Sequence, residues 1–260
     1  MKYLVTFIVM LFAGNILMAQ DNKQEYKIQA ANTRDGKLTL NDFPSDLPIE
    51  GYSGNEIIIT SNSDHPGPPP ERAKGLKPIY PGGEDNTGMG LFVEKNGNDI
   101  TIQCLLPITQ QGSYKVKVPD NFSLKVKGGC ERSIELTVQN MKNEIEANVC
   151  HNISLKNVTG PLVLSTISGN ITVAFTELSK DKSISIASVS GEIDVTLPAK
   201  AAMNVELGTM SGSMYSDFDF SNDKKEMKRI GGSSIQGQLN GGGVDVKITN
   251  VSGNIYLRKG

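Results

Sequence analysis

Apolar and polar residues alternate with a period of two through most of the chain. The clearest runs are EIIITS (56–61), DITIQC (99–104), YKVKV (114–118), SLKVK (123–127), SIELTV (133–138), ISLKNV (153–158), GNITVAF (169–175), EIDVTL (192–197), VDVKIT (244–249) and NIYLR (254–258). Such alternation puts every second side chain on one face, as a half-buried strand requires. Helical spacing is lacking beyond the first twenty residues, apart from about a turn at SNDKKEMKR (221–229). The pattern predicts an all-β chain.

The strands also repeat. TISGNITVAF (166–175), SVSGEIDVTL (188–197), TMSGSMYSDF (209–218) and NVSGNIYLRK (250–259) share a β-branched residue or Met, then Ser, Gly, a polar residue and an apolar one. Their glycines, Gly169, Gly191, Gly212 and Gly253, are 22, 21 and 41 residues apart, the last interval close to two periods. Weaker copies are DGKLTL (35–40), GNEIII (54–59) and GNDITI (97–102). A period of about 20 residues is the mark of a solenoid whose coils lay strands beside those of neighbouring coils. The expected fold is a single-stranded β-helix or β-solenoid with coils of about 20 residues. A pair of β-sandwiches is the alternative, because short strands with regularly spaced turns suit it too.

The four glycines are expected to be structural turns, Gly supplying positive φ and Ser bonding nearby backbone. The Asn that follows would share amide hydrogen bonds with its counterparts in stacked coils. The next apolar residue points inward, and Thr, Ser, Lys and Glu face out. The terminal LRKG (257–260) supplies the charge that blunts one end of the stack.

The first nineteen residues stand apart. Lys2, an apolar run from Tyr3 to Met18 and the small Ala19 form a secretory signal peptide, too short and too early for a membrane span. Residues 20–260 are then one exported β-solenoid domain with no transmembrane segment. Losing Lys2 leaves 25 basic against 28 acidic residues, a net charge of −3, without the basic clusters that nucleic acid requires. Three cysteines permit at most one disulfide, so stability must come from a buried core. Cys130 and Cys150 lie about one coil apart and stack as neighbours, either bridged or as buried free thiols.

One stretch cannot be a central strand. Residues 64–90 hold six prolines and six glycines and read as a loop inserted between coils. Loops on rigid scaffolds carry recognition, so Arg72, Lys74, Lys77, Tyr80, Glu84 and Asp85 are the candidate partner-binding residues, and His65 is a solvated bystander. Asp217, Asp219 and Asp223 alternate, but Asn222 stands where a calcium loop needs Gly, so they read as a solvated acidic strand end. In VCHNIS (149–154), Cys150 and His151 align with Ser168 and Gly169. His151 is therefore expected at a positive-φ corner rather than in a metal or nucleophile site.

YKVKVPDNFSLKVK (114–127), LPAKAAMNVELGTMSGSMYSDFDF (197–220) and GLFVEKNGNDITI (90–102) together resemble the adhesin-like β-strand-repeat family of bacterial envelope proteins, over roughly residues 91–260. The MAQ (18–20) that ends the leader is similar to that of Bacteroidetes proteins. The resemblance implies a single-stranded β-helix of unknown function, with no catalytic residue or cofactor to carry over. The expected function is that of a non-enzymatic exported protein, in the periplasm or at the cell surface, acting as a binding or structural module for a protein or glycan. The alternatives are a periplasmic regulatory or scaffolding partner of a membrane protein and, third, a polysaccharide-acting β-helix enzyme. Against the enzyme stand the absence of Trp and a total of seven Tyr, since sugar-cleaving grooves are lined with aromatic rings.

Overall fold

The computed structural model describes residues 24–32, 36–44, 46–62, 70–110, 112–132, 134–180, 182–220 and 233–260. The leader, His65, Asn222, Asp223 and the turn expected at 221–229 lie outside them. Twenty strands occur among the described residues, with one 3-10 turn at Glu71–Ala73. In chain order they are β1 (Gln24–Gln29), β2 (Lys37–Asn41), β3 (Leu47–Tyr52), β4 (Glu56–Ser61), β5 (Leu91–Asn96), β6 (Asp99–Cys104), β7 (Tyr114–Pro119), β8 (Ser123–Lys127), β9 (Leu136–Gln139) and β10 (Ile145–Val149). The second half contains β11 (Ile153–Val158), β12 (Leu162–Ser168), β13 (Ile171–Phe175), β14 (Ile184–Ser190), β15 (Ile193–Leu197), β16 (Met203–Ser211), β17 (Met214–Ser216), β18 (Ser233–Leu239), β19 (Val244–Ser252) and β20 (Ile255–Lys259).

These strands form two ten-stranded sheets. The first runs β1-β4-β7-β3-β9-β11-β13-β15-β20-β17 and the second β18-β16-β19-β14-β12-β10-β8-β2-β6-β5. From β8 to β17 the chain crosses from one sheet to the other at every strand, and as far as β15 successive visits to a sheet pair in parallel. This β-solenoid-like winding departs from a sandwich, whose hairpins pair antiparallel. Among the described strands, antiparallel pairs occur only towards the ends, at β1–β4, β4–β7, β5–β6 and β16–β18. GNEIII, which feeds β4, is therefore not a copy of the parallel coil.

The alternation in the sequence fills the space between the sheets. In the first sheet Leu136, Ile153, Ile171, Ile193 and Ile255 stand side by side, as do Val138, Leu155, Val173, Val195 and Leu257. Ala147, Leu164, Ile186, Ile248 and Leu207 face them from the second. All are buried, and each large aliphatic contributes about 1.5–3 kcal/mol. The partners are 17 residues apart at β9–β11, 18 at β11–β13 and 22 at β13–β15.

The two ends of the chain break sequential stacking. β19 lies between β14 and β16, and β20 between β15 and β17, so the last coil is inserted one place inward. At the other end β2 lies between β6 and β8, and β3 between β7 and β9. LRKG therefore does not blunt an end: the sheets end at β17 and β18 on that side and at β1 and β5 on the other. The 41-residue interval from Gly212 to Gly253 likewise separates adjacent coils, lengthened by β18 and its connections, rather than two stacked periods.

Candidate functional site

The Ser-Gly corners stack. Gly169 N–H donates to the Ser190 carbonyl, Gly191 N–H to Ser252 and Gly253 N–H to Ser211, which carries the strand ladder around the bend. Gly191 and Gly253 have φ of +130° and +131°. Gly169 and Gly212 lack positive φ, so backbone freedom does not explain them. A β-carbon on Gly169 would stand 2.4 Å from the His151 carbonyl carbon, and one on Gly212 2.1 Å from the Gly253 carbonyl oxygen. Close approach of the neighbouring coil is the common cause. His151 aligns with these glycines as expected, yet it is not among the positive-φ residues; it sits at the start of the row and its carbonyl accepts from Thr166 Oγ1 at 2.7 Å.

The asparagines after the glycines act differently from the expected amide ladder. Asn152 Oδ1 accepts from the backbone N–H of Asn170, Asn170 Oδ1 from that of Glu192, and Asn254 Oδ1 from that of Ser213, each at 2.8–3.0 Å. Each amide caps the next coil's backbone.

One rung before the corner, polarity is inverted. Thr166, Ser188, Thr209 and Asn250 are buried, while the next residues, Ile167, Val189, Met210 and Val251, are 52%, 48%, 67% and 43% exposed. Three of these four inward polar residues serve the corners: Thr166 holds the His151 carbonyl, Asn250 Nδ2 donates to the Gly191 carbonyl and Thr209 Oγ1 to the Gly253 carbonyl, whereas Ser188 Oγ is buried without a hydrogen-bond partner. Strand parity then forces the apolar neighbour outward. These four exposed side chains form a ladder across the second sheet, in the spatial order Ile167, Val189, Val251, Met210. They wall a groove of about 530 Å³. Its floor is the adjacent outward rung of Asn148, Ser165, Ala187, Thr249, Gly208 and Ser234. The sequence holds the signal, since strand phase already assigns the polar residue inward.

The candidate loop residues take different places in the loop. Arg72 and Lys74 are exposed, on and just after the 3-10 turn. Lys77 Nζ reaches Glu84 Oε1 at 4.0 Å, both highly exposed, and exposed Leu76 and Ile79 lie close in sequence. Tyr80 forms a bridge with Gly83, and burial raises its phenol, with the Asp85 charge adding to the shift. Asp85 is used by its own loop: it accepts from the N–H groups of Thr87, Gly88 and Gly90 and from Thr87 Oγ1. Burial pushes its carboxyl up, but these donors outweigh burial and hold it below the ordinary range.

Cys130 and Cys150 are bridged, with Cα atoms 5.0 Å apart, which removes the free-thiol alternative for that pair. Cys104 is free and buried, and burial raises its thiol. Asp217 Oδ1 accepts from the Lys259 backbone N–H at 2.8 Å. Among the described residues no three His, Cys, Asp or Glu side chains converge as a metal site.

Crystal structures of similar outline include a candidate cell adhesion protein from Clostridium sporogenes, 12% identical over 92% of this chain and 99% of that one, with a TM-score of 0.45. A candidate adhesin from Bacteroides fragilis is 8% identical, covering 91% and 96% with a TM-score of 0.35. One from Parabacteroides merdae is 14% identical, covering 90% and 95% with a TM-score of 0.28. No curated protein matches the chain. Residues 109–258, more than half of the chain, match the family Toastrack DUF4097; in agreement with the resemblance carried by its repeats, the chain belongs to that family.

Proposed function

We propose that this is an exported, non-catalytic β-solenoid of the cell envelope that binds an extended polypeptide segment of a protein partner in the groove on the outer face of its second sheet. The observation that carries the reading is the exposed ladder Ile167, Val189, Val251 and Met210, one apolar residue from each of four successive strands. Five strand spacings separate Asn148 from Ser234, about 24 Å, which an extended segment of about seven residues spans. A polypeptide suits both walls and floor. Its apolar side chains cover the ladder, and its backbone groups bond Asn148, Ser165, Thr249 and Ser234, which a hydrocarbon chain would bury without partners. The exposed loop side chains Arg72, Lys74 and Lys77, with half-buried Tyr80 beside them in sequence, form a second contact surface for the same partner.

The leader at 1–19 and the Cys130–Cys150 bridge together support export, since disulfides persist in oxidising compartments. A mature amino terminus at Gln20, read by mass spectrometry of envelope fractions, tests that part. For the groove, display of random heptapeptides followed by fluorescence anisotropy should select sequences with alternating apolar residues. Val189→Glu and Met210→Glu, both at exposed positions, should weaken their binding at least tenfold with an unchanged melting temperature. Failure to select peptides, or equal binding by both variants, overturns the groove as the site.

A further inference from the structure

Gly208 stands inside the nine-residue strand β16, where a glycine weakens the strand. The fold does not require it. Gly208 is not among the residues of positive φ, and a β-carbon there would meet only Thr249 Cγ2, at an ordinary 3.9 Å. The corner glycines differ: a β-carbon on Gly169, Gly191, Gly212 or Gly253 would run into neighbouring backbone at 2.0–2.4 Å. Of the residues that floor the groove, Gly208 alone has no side chain. A glycine that the chain does not need for its own packing leaves space for something that approaches from outside. Thr249 on β19 and Ser234 on β18 stand in register with it on either side. Along β16 the next outward residues are Met210, on the groove wall, and Glu206, which faces a second hollow of about 850 Å³. The floor is therefore bare between the groove and the Glu206 carboxylate.

Resting on the proposed peptide groove, we infer that Gly208 floors a side-chain pocket that takes a lysine or arginine of the bound segment. The stem fills the space over Gly208 between Thr249 and Ser234, and the charge reaches Glu206 on the side away from Met210. Outward residues two apart on a strand are about 7 Å from each other, a gap that either side chain bridges from a backbone lying over the floor. The adjacent residue of an extended segment then points to the opposite side and covers Met210. Charge selects a cation. The charged residues of β16, β18 and β19 are Glu206, Asp245 and Lys247, two acidic and one basic. Lys247 stands in register with Glu206 rather than with Gly208, and its Nζ lies 2.8 Å from Glu206 Oε1; a carboxylate with one such partner still has acceptor sites for a second. An aliphatic side chain in the same place would strip water from Glu206 without replacing its bonds. An acidic one would be repelled by it.

The test is display of random heptapeptides on the full mature chain, followed by anisotropy titration of a selected peptide and of an analogue with norleucine in place of its basic residue. Selected sequences should carry a lysine or arginine among their apolar residues. The parent should bind the selected peptide about tenfold more tightly than the analogue, and Glu206→Gln should remove that preference. Gly208→Val, which fills the floor, should weaken the selected peptide about tenfold, with a melting temperature no lower than the parent's. Selected peptides that lack a basic residue or carry an acidic one in its place, or that bind Gly208→Val as tightly as the parent, overturn the pocket. If those peptides still lose binding to Val189→Glu, the groove itself stands. Failure to select any peptide overturns groove and pocket together.

Discussion

Asn250, 4% exposed, donates its side-chain amide to the carbonyl oxygen of Gly191 in the neighbouring coil at 2.8 Å. A buried polar residue is tolerated in this core because it serves a carbonyl at the bend. Asn250→Ala removes the donor and leaves that carbonyl short of a partner, a loss of about 1–3 kcal/mol. Urea unfolding should show the midpoint falling with the slope unchanged. Asn250→Leu should not recover the loss, although it restores volume and apolarity.

The same corner sets a steric limit. A β-carbon on Gly253 would lie 2.0 Å from the Gly191 carbonyl oxygen, at a φ of +131°. Gly253→Ala should cost about 2–4 kcal/mol. Gly208→Ala is the control: its β-carbon meets nothing nearer than Thr249 Cγ2 at 3.9 Å, so the midpoint should stay within about 0.5 kcal/mol of the parent.

These corners also mark how far sequence reading reaches. Period-two alternation found the strands because a face between two sheets demands it, and the Ser-Gly repeat located Gly169, Gly191, Gly212 and Gly253 in one row. The reason for Gly169 and Gly212 was hidden, because contact with a neighbouring coil is not a local property. The order of the coils was hidden for the same cause: the next strand of the second sheet after β14 along the chain is β16, and yet β14 pairs with β19. The exposed ladder was legible from strand phase, since Thr166, Ser188, Thr209 and Asn250 continue the inward series. The stacking of the Tyr215 ring on Tyr256 was not, because the two residues are brought together only by insertion of the last coil.

Sulfur chemistry separates into one structural bridge and one sheltered thiol. Replacing Cys130 and Cys150 by Ser opens a loop of 20 residues and should cost about 3 kcal/mol. Cys104 should remain unlabelled by Ellman's reagent in the native protein and count as one thiol after denaturation.

The groups around that thiol predict alkaline sensitivity. Burial raises the Cys104 thiol, and burial, reinforced by Cys104, raises the Tyr114 phenol further. Tyr114 also donates to the Met89 carbonyl at 2.6 Å. Both groups keep their protons in the folded chain, whereas the unfolded chain begins to release them above about pH 8.5 for the thiol and pH 10 for the phenol. Their stabilisation is complete below those values and is lost as pH rises towards the folded pKa values. Thermal melts from pH 7 to 10.5 should fall in midpoint, and Cys104→Ala should reduce the slope of that fall between pH 8.5 and 10.

Asp85 has the opposite sign. Its carboxyl is held low by the loop's N–H groups, so its contribution is present above the ordinary carboxyl range and is lost as pH falls through its lowered folded pKa. Hydrogen exchange at Thr87, Gly88 and Gly90 should accelerate under acid relative to the intrinsic rate, and Asp85→Ala should give that faster exchange already at neutral pH.

The inserted last coil gives the sharpest distinction between this protein and a solenoid stacked in chain order. In the latter, the last coil is an end and frays, because only one neighbour holds it. Here β19 is hydrogen-bonded to both β14 and β16, and β20 to both β15 and β17. Amides of Ile248 and Leu257 should therefore exchange among the slowest in the molecule, although they lie within 13 residues of the carboxyl terminus. A chain ending at residue 243 should lose its cooperative transition, because β14 and β15 would face β16 and β17 across a missing coil. Fast exchange at Leu257, or a truncated chain that still melts cooperatively at a modestly lower temperature, would show that the coil is peripheral and the insertion wrong.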